Sequence, residues 1–219
     1  MRKIIFGIIA LITASCSLED AYDDMRGGLT SALEYSIGDT GPGGGIIFYV
    51  ADGRNGRPYG FTVEGFASST GAFSSYTAYY LEAAPQNSGN AQWGAYGTLI
   101  SGVTTFTSNI DELANAIGNG RKDTRTIVAH LGTTESGRAA QIAAAATFGG
   151  RNDWFLPSSG ELNQLYINRA AVGNMWTGYF WSSSQNNRNF ACIQDFDSGA
   201  MTTFGVKNIT DPVRAIRAF

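Results

Sequence analysis

Residues 175–205 read MWTGYFWSSSQNNRNFACIQDFDSGAMTTFG, and this is the most informative stretch of the chain. Aromatic side chains stand among Ser, Thr, Asn, Gln and Gly, with no lysine and few carboxylates. Buried amides and hydroxyls need hydrogen-bond partners, so this mixture is poor material for an ordinary core. It suits either paired strands with one solvent-exposed face or a recognition surface, in which aromatic groups give rigid contact area. The residues alone leave both interpretations open.

Upstream of this stretch, the pattern predicts strands first and helices afterwards. The apolar, β-branched segment Ile46–Ala51 indicates a buried strand, and Tyr79–Ala84 indicates a second strand that Pro85 ends. Between them, residues 52–78 are rich in Gly, Ser, Thr and Asn, which is typical of loops or hairpins. The glycines of 41–45 precede a strand and lack a following Gly-Lys-Ser/Thr, so they predict a turn and not a phosphate-binding loop.

Four helices are predicted in the middle of the chain. Ile110–Ile117, Thr124–Leu131 and Arg138–Phe148 carry apolar faces, and Asp123 stands at the N-cap position of the second helix. Ser158 and Glu161 have capping-box spacing before a fourth helix. With strands at both ends and helices between them, the chain is predicted to be α+β, with terminal strands that can pair with each other.

The N-terminus is predicted to be an export signal. Arg2 and Lys3 precede the short apolar run Ile4–Ile12, and Cys16 follows small residues. Cys16 resembles the lipidated cysteine of bacterial lipoproteins, whose acyl chains would anchor the chain in a membrane. The alternative is a simple secretory peptide cleaved near Ala14 or Cys16. The predicted organisation is a signal peptide at 1–15, an acidic tether at 16–36 and one domain at 37–219.

Composition argues against several classes of site. The net charge is −3 and Lys and Arg are not clustered, so nucleic-acid binding is not expected. His130 is the only histidine and has no ligand at metal-binding spacing, so no metal ion or cofactor is predicted. Residues 152–154, Asn-Asp-Trp, predict a turn whose Trp154-Phe155-Leu156 enters the core. Asp195 and Asp197 would share a face if their segment were a strand.

Ordered motifs are similar to those of a bacterial surface domain found at the C-terminus of a Legionella collagen-like adhesin and in many spirochaete lipoproteins. The resemblance covers about residues 37–219, and its most specific blocks are Asp153–Pro157 (DWFLP) and Phe180–Ser184 (FWSSS). It implies a C-type-lectin-like fold of the formylglycine-generating-enzyme type. Where that family often has Glu after the serines, this chain has Gln185. The further motifs are Gly38–Pro42, Ile46–Val50, Tyr80–Pro85, Gly149-Gly150, Glu161-Leu162, Gly199, Lys207 and Val213–Phe219.

Within that fold, the chain most closely resembles the variable lipoproteins of diversity-generating retroelements. In such systems a reverse transcriptase misreads template adenines and rewrites the 3′ end of the target gene. The resemblance implies that residues 175–205 are diversified and that Val213–Phe219 is the fixed end of this region. Cys192 would then be a product of random diversification without a chemical role. The expected fixed positions are Trp181, Ser182, Ser183, Ala191, Phe196 and Gly199. The expected ligand contacts are Trp176, Tyr179, Ser184, Asn186, Asn187, Arg188, Phe190, Cys192, Ile193, Asp195, Met201 and Phe204.

The leading functional hypothesis is a non-catalytic lipoprotein, lipid-anchored on the surface of a bacterial outer membrane, that displays a hypervariable site for an extracellular protein or glycan. A non-diversified adhesin or glycan-binding module of the same fold is the alternative. An oxidase like formylglycine-generating enzyme is disfavoured, because that chemistry resembles a two-thiol, metal-assisted oxidation. Apart from Cys16, this chain has Cys192 alone.

Overall fold

The strands predicted near both ends of the domain lie in one sheet. In the computed structural model, which describes residues 34–69, 71–106 and 110–219, β1 (Ile46–Val50), β6 (Tyr80–Ala83) and β12 (Ile216–Ala218) form a three-stranded antiparallel sheet. The two predicted N-terminal strands are confirmed. The terminal strands β1 and β12 do not pair with each other, because β6 lies between them and pairs with both.

The glycine turn before β1 holds a carboxylate of the protein itself. The backbone N–H groups of Gly43 and Gly45 donate to Glu82 Oε1 at 3.0 and 2.7 Å, and Arg217 Nη1 donates to Glu82 Oε2 at 3.1 Å. A side chain at Gly45 would overlap the carbonyl oxygen of Ala83. The predicted turn is confirmed, and its close backbone approach explains why glycine stands there.

The segment between β1 and β6 forms short hairpins, as its composition predicts. β2 (Phe61–Val63) pairs with β5 (Tyr76–Ala78), and β3 (Phe66–Ser68) pairs with β4 (Gly71–Phe73) between them.

The four predicted helices are present, and three of them have bounds that differ from the prediction, including the first, which ends at Asn115 and not at Ile117. The helices are α1 (Ile110–Asn115), α2 (Gly120–Leu131), α3 (Ala139–Ala144), α4 (Ser159–Ile167) and a short α5 (Arg169–Val172). The second helix begins at Gly120, so the prediction that Asp123 is its N-cap is wrong. The third helix ends at Ala144, four residues before the predicted end.

Asp123 lies instead inside α2 and is fully buried. Its Oδ1 accepts a hydrogen bond from the backbone N–H of Thr104 at 3.1 Å and lies 3.1 Å from Lys122 Nζ. Burial raises the pKa of this carboxyl to about 6. The side chain therefore ties a distant loop to the helix.

The capping box at α4 is confirmed. Ser158 Oγ accepts from the backbone N–H of Glu161 at 3.3 Å, and Ser158 N–H donates to Glu161 Oε2 at 2.7 Å. The other carboxylate oxygen accepts from Gly118 N–H at 2.8 Å. Complete burial raises the pKa of Glu161 to about 7 despite these bonds.

Residues 175–205 supply a second antiparallel sheet. Its strands are β8 (Tyr179–Gln185), β9 (Phe190–Asp195) and β10 (Met201–Val206), with β9 in the centre. Beside it, β7 (Gly89–Gln92) pairs with β11 (Thr210–Val213). Mixed helices and small antiparallel sheets make the fold α+β.

Two apolar clusters fill the interior. One contains Trp93, Ile127 and Trp181, and the other contains Phe48, Phe155 and Phe180. The whole block Trp154-Phe155-Leu156 is buried, as predicted from the sequence. The indoles of Trp93 and Trp181 join the 91–93 segment to strand β8. Trp93 Nε1 donates to Ser182 O, and Trp181 Nε1 donates to Ala91 O.

None of the helices in the described ranges is long and apolar enough to cross a membrane. The predicted signal peptide, Cys16 and the tether up to residue 33 lie outside the described residues. Residues Tyr35–Phe219 form one unit.

Candidate ligand-binding surface

The predicted ligand contacts divide between the two ends of the β8–β9–β10 sheet. At one end Tyr179 pairs with Asp195, and at the other Val206 pairs with Phe190. A strand of seven residues such as β8 spans about 20 Å. The structure therefore separates the predicted residues into two groups. Trp176, Tyr179, Asp195 and Met201 form one group, and Asn186, Asn187, Arg188, Phe190 and Phe204 form the other.

Three predicted contacts lie in the interior and are corrected here. Cys192 is 1% exposed, and burial raises the pKa of its thiol to about 12. Ser184 is buried with its Oγ accepting from Ser159 N–H at 3.2 Å. Ile193 is 8% exposed and belongs to the cluster around Trp181. A ligand at the surface does not reach these side chains, because the middle of β8 and of β9 is buried on both faces.

The predicted fixed positions have the expected environments. Gly199 has a φ of +84°, and a side chain there would collide with the ring of Tyr166. Both features require glycine. The remaining five are buried: Trp181, Ser182, Ser183, Ala191 and Phe196.

Several exposed aromatic and apolar side chains lie on segments that meet at the β8–β9 turn. Phe204 is 64% exposed, and its ring meets the ring of Phe190 edge-on with centroids 5.9 Å apart. Gly97 N–H donates to Arg188 O at 2.9 Å, which brings the 94–100 loop beside the turn. On that loop Tyr96 and Leu99 are each 54% exposed. We call Tyr96, Leu99, Arg188, Phe190 and Phe204 the turn surface.

The turn itself is held through its main chain. Carbonyl oxygens of Arg188, Asn189 and Phe190 accept from Gly97 N–H, Lys207 N–H and Asn186 N–H at 2.9, 3.0 and 2.9 Å. The side chains of Arg188 and Phe190 take no part in these bonds.

Asn187 differs from its neighbours because its side chain shapes the turn. Its Oδ1 accepts from the backbone N–H groups of Asn189 and Phe190 at 2.8 and 3.1 Å, as asparagine commonly does in turns. Asn186 Nδ2 donates to Thr203 Oγ1 at 3.0 Å, across to β10. Both amides therefore stabilise the surface from within.

Beneath the turn surface, a buried amide clamps the 94–100 loop. Gln185 Nε2 donates to Ile100 O at 2.6 Å, and Gln185 Oε1 accepts from Ile100 N–H at 3.2 Å. Lys207 Nζ donates to the same Oε1 at 3.1 Å and to Thr98 O at 3.0 Å. These pairs fix Tyr96 and Leu99 relative to Arg188.

Lys207 is an unusual member of that clamp. Its ammonium lies 4.3 Å from the ring centre of Trp93 and its side chain is fully buried. Burial lowers the pKa of Lys207 to about 8. The cation is held by neutral oxygens and a ring face, because its side-chain partner Gln185 carries no charge.

At the opposite end of the sheet, Trp176 and Tyr179 are exposed beside a tight turn. Asp195 accepts from Ser198 Oγ at 2.6 Å and from Asp197 N–H at 3.0 Å, and these bonds lower its pKa. Asp197 lies beyond the end of β9 and accepts from Gly178 N–H at 3.0 Å. Both carboxylates thus accept hydrogen bonds that stabilise the turn, and they do not share a strand face.

The described residues do not form a metal site around His130 or elsewhere. His130 is exposed in the last turn of α2, and no group of three possible metal ligands occurs in the ranges that the structure covers. Sequence reasoning missed Tyr96 and Leu99. The available signal was two large apolar residues in a glycine-rich loop, Gly94–Gly102, that lacks strand or helix periodicity.

The fold is similar to that of a fimbrial protein from Bacteroides ovatus ATCC 8483, with a TM-score of 0.51 and 18% sequence identity over 80% of this chain. This chain covers 44% of the length of that fimbrial protein. No protein-family model matches the chain, and no curated protein matches it either. At this identity the likeness concerns the fold alone.

Proposed function

We propose that this chain is a non-catalytic, lipid-anchored protein of the bacterial outer membrane that displays a variable ligand-binding site in a C-type-lectin-like fold. The observation that carries the proposal is the turn surface. Exposed Phe204, Tyr96, Leu99 and Arg188 and half-buried Phe190 belong to segments that meet at the β8–β9 turn, and the side chains of Arg188 and Phe190 are not used to hold that turn. Aromatic residues and arginine supply most of the binding energy at protein interfaces.

Several further features support the proposal. The two most specific blocks of the resembling family contact each other, since Ser183 N–H donates to Pro157 O at 2.7 Å. The expected fixed positions are internal, while Arg188 and Phe204 are exposed. The likeness to a fimbrial protein fits a location on the cell surface. The buried, protonated thiol of Cys192 is a poor nucleophile, which fits a binding role.

A genomic observation tests diversification. We expect a repeat nearly identical to the coding DNA of residues 175–219, differing at adenines, next to a reverse-transcriptase gene. Its absence would leave the alternative, a non-diversified adhesin or glycan-binding module of the same fold.

A binding screen tests the site. The full-length chain would be applied to arrays of host extracellular-matrix proteins and glycans, beside Phe204→Ala and Trp176→Ala. We expect the positive spots to be lost with Phe204→Ala and kept with Trp176→Ala. The reverse pattern would place the site at the other end of the sheet, as the glycan-module alternative predicts. For the anchor, labelled palmitate should enter the wild-type chain and not Cys16→Ala.

A further inference from the structure

A cavity outside the β8–β9–β10 sheet carries two arginines that the proposed function does not use. It has a volume of about 360 Å³ and lies between the β3–β4 hairpin and helix α2. Phe66, Phe73, Val128 and Ala129 form its apolar walls, and Arg121 and Arg125 face it from the helix. The volume lies within the range of small-molecule pockets.

The two cations are adjacent and lack an acidic partner among the described residues. Arg121 and Arg125 stand four residues apart on α2, where like charges repel. No ion pair of the described chain includes either of them. Asp153 is near enough for the charge of Arg121 to act on it, but Arg217 holds it at 2.9 and 3.0 Å. Two cations at one cavity therefore keep unused capacity for an anion.

Arg121 is held in place with donors left over. Its guanidinium stacks 4.3 Å from the ring centre of Phe73, and Nη1 donates to Tyr76 Oη at 3.1 Å. The hydroxyl of Tyr76 in turn donates to Ala218 O at 3.1 Å. Nε of Arg121 is buried and has no hydrogen-bond partner among the described residues. A stacked guanidinium still presents its edge donors, which match the geometry of a carboxylate.

We propose that this cavity binds a small amphipathic carboxylate, whose anionic head pairs with Arg121 and Arg125 while its apolar body lies against Phe66, Phe73 and Val128. The charge of the two arginines selects an anion, and the apolar walls select a body that water solvates poorly. The site shares no residue with the turn surface, so it is independent of the ligand proposed there.

Titration calorimetry on the purified full-length chain tests the proposal with phenylacetate as the probe. We expect saturable binding that weakens about tenfold in Arg125→Gln, because one charge-assisted pair is lost. Phenylacetamide, which has the same shape without the charge, should bind at least tenfold more weakly, and so should acetate, which has no apolar body. Arg151→Gln, at an exposed arginine outside the cavity lining, is the matched control and should bind phenylacetate as the wild type does.

A second variant covers the case in which Arg125→Gln does not fold. Ala129→Glu adds a negative charge at an exposed position on the cavity wall and should abolish phenylacetate binding. Absence of saturable binding to the wild type would overturn the proposal. So would equal affinity for phenylacetamide, or undiminished binding in a folded Arg125→Gln or Ala129→Glu.

Discussion

The ammonium group of Lys207 lies 3.1 Å from the amide oxygen of Gln185, and neither side chain reaches solvent. Thr98 O and the ring of Trp93 complete the surroundings of the cation. A buried ammonium with a carboxylate neighbour would keep its charge over a wider pH range. Here the neighbour is neutral, so burial of the charge is not compensated and the pKa of Lys207 is lowered.

The contribution of Lys207 to the stability of the protein should therefore rise with pH above about 8. The pKa of Lys207 is lowered from 10.5 to about 8, so between these values the unfolded chain holds a proton that the folded protein has released. The contribution of Lys207 to the free energy of unfolding should increase there, with a limiting slope of about 1.4 kcal/mol per pH unit for one proton. Below about pH 8 the unfavourable contribution is fully present. Urea denaturation at pH 7.5, 8.5 and 9.5 measures it.

Two variants isolate Lys207 from Cys192, whose raised thiol pKa makes its own contribution to stability fall with pH above about 9. Lys207→Met removes the proton and should flatten the rise relative to wild type. Gln185→Glu places a carboxylate beside the ammonium, so the pKa of Lys207 should increase and the rise should move to higher pH. Coinciding pH profiles of wild type and Lys207→Met would contradict the assignment.

Phe204→Ala should abolish ligand binding at the turn surface without loss of stability. The side chain is mostly exposed and contacts Phe190, so truncation removes contact area for a ligand and little core packing. We expect a loss of at least about 2 kcal/mol in binding free energy and a thermal midpoint within about 2 °C of wild type. Ile167→Ala, another exposed apolar residue, on α4, is the matched control. A large drop in the thermal midpoint would assign Phe204 to the core instead.

Asn187→Ala should lower the stability of the protein, whereas Arg188→Ala should weaken ligand binding and leave stability unchanged. Removing Oδ1 of Asn187 leaves two backbone N–H groups of the turn without their acceptor, which should lower the free energy of unfolding by about 1 kcal/mol. Arg188→Ala should leave stability unchanged and weaken binding, because only its carbonyl oxygen holds the turn. Denaturation and binding assays on both variants check this, and equal stabilities would refute the structural role of Asn187.

Asp123→Asn should stabilise the protein above pH 6. The pKa of the buried carboxyl is raised from 3.8 to about 6, so between these values the folded protein holds a proton that the unfolded chain has lost. Stability contributed by this group falls as the pH rises through that window. The amide variant keeps the acceptor for Thr104 N–H, and we expect a gain of about 1–2 kcal/mol at pH 7.

Denaturation at pH 4.5 and 7 compares Asp123→Asn with wild type. Asp197→Asn, at an exposed carboxylate, is the matched control and should not gain stability over wild type at pH 7. The pKa of Glu161 is raised from 4.5 to about 7, so this group lowers the stability of both variants and of wild type as the pH rises through that range. A lower stability of Asp123→Asn than of wild type at pH 7 would show that the ion pair with Lys122 outweighs the burial of charge.

Arg217→Met should destabilise the fold strongly. Its guanidinium pairs with the fully buried Glu82 at 3.1 Å and with both oxygens of Asp153. Leaving a buried carboxylate without its cation costs about 3–5 kcal/mol. Arg151→Met, at an exposed arginine, should change the free energy of unfolding little. A similar small effect of Arg217→Met would contradict the structural role of this pair.

Local signals account for the parts of the fold that sequence reasoning predicted. The capping box of Ser158 and Glu161 is encoded within four residues, and the strand at Ile46 is encoded by a continuous apolar run. Asp123 carried a misleading local signal, since aspartate favours N-caps. Its true partner, the amide of Thr104, lies nineteen positions away and belongs to tertiary structure.

The candidate site was predicted less completely, for a reason of register. Which side chains of β8 and β9 face outward depends on strand pairing and on the irregularities opposite Cys192, and a shift of one residue reverses the faces. Ser184, Cys192 and Ile193 were placed at the surface for a second reason: tertiary packing buries the middle of β8 and β9 on both faces, and a local strand pattern does not encode that burial. Tyr96 and Leu99 were missed because the hydrogen bond from Gly97 to Arg188 joins segments far apart in the chain.

The main-chain attachment of the β8–β9 turn has a consequence for how the surface can change. Every residue type has the same carbonyl oxygen, so the bonds at positions 188 and 190 persist whichever side chain is present there. Recognition and folding are thus encoded by different atoms of the same residues. Substitutions at these positions can be selected for a new ligand without a compensating change elsewhere, whereas position 187 has to keep a side chain that accepts hydrogen bonds.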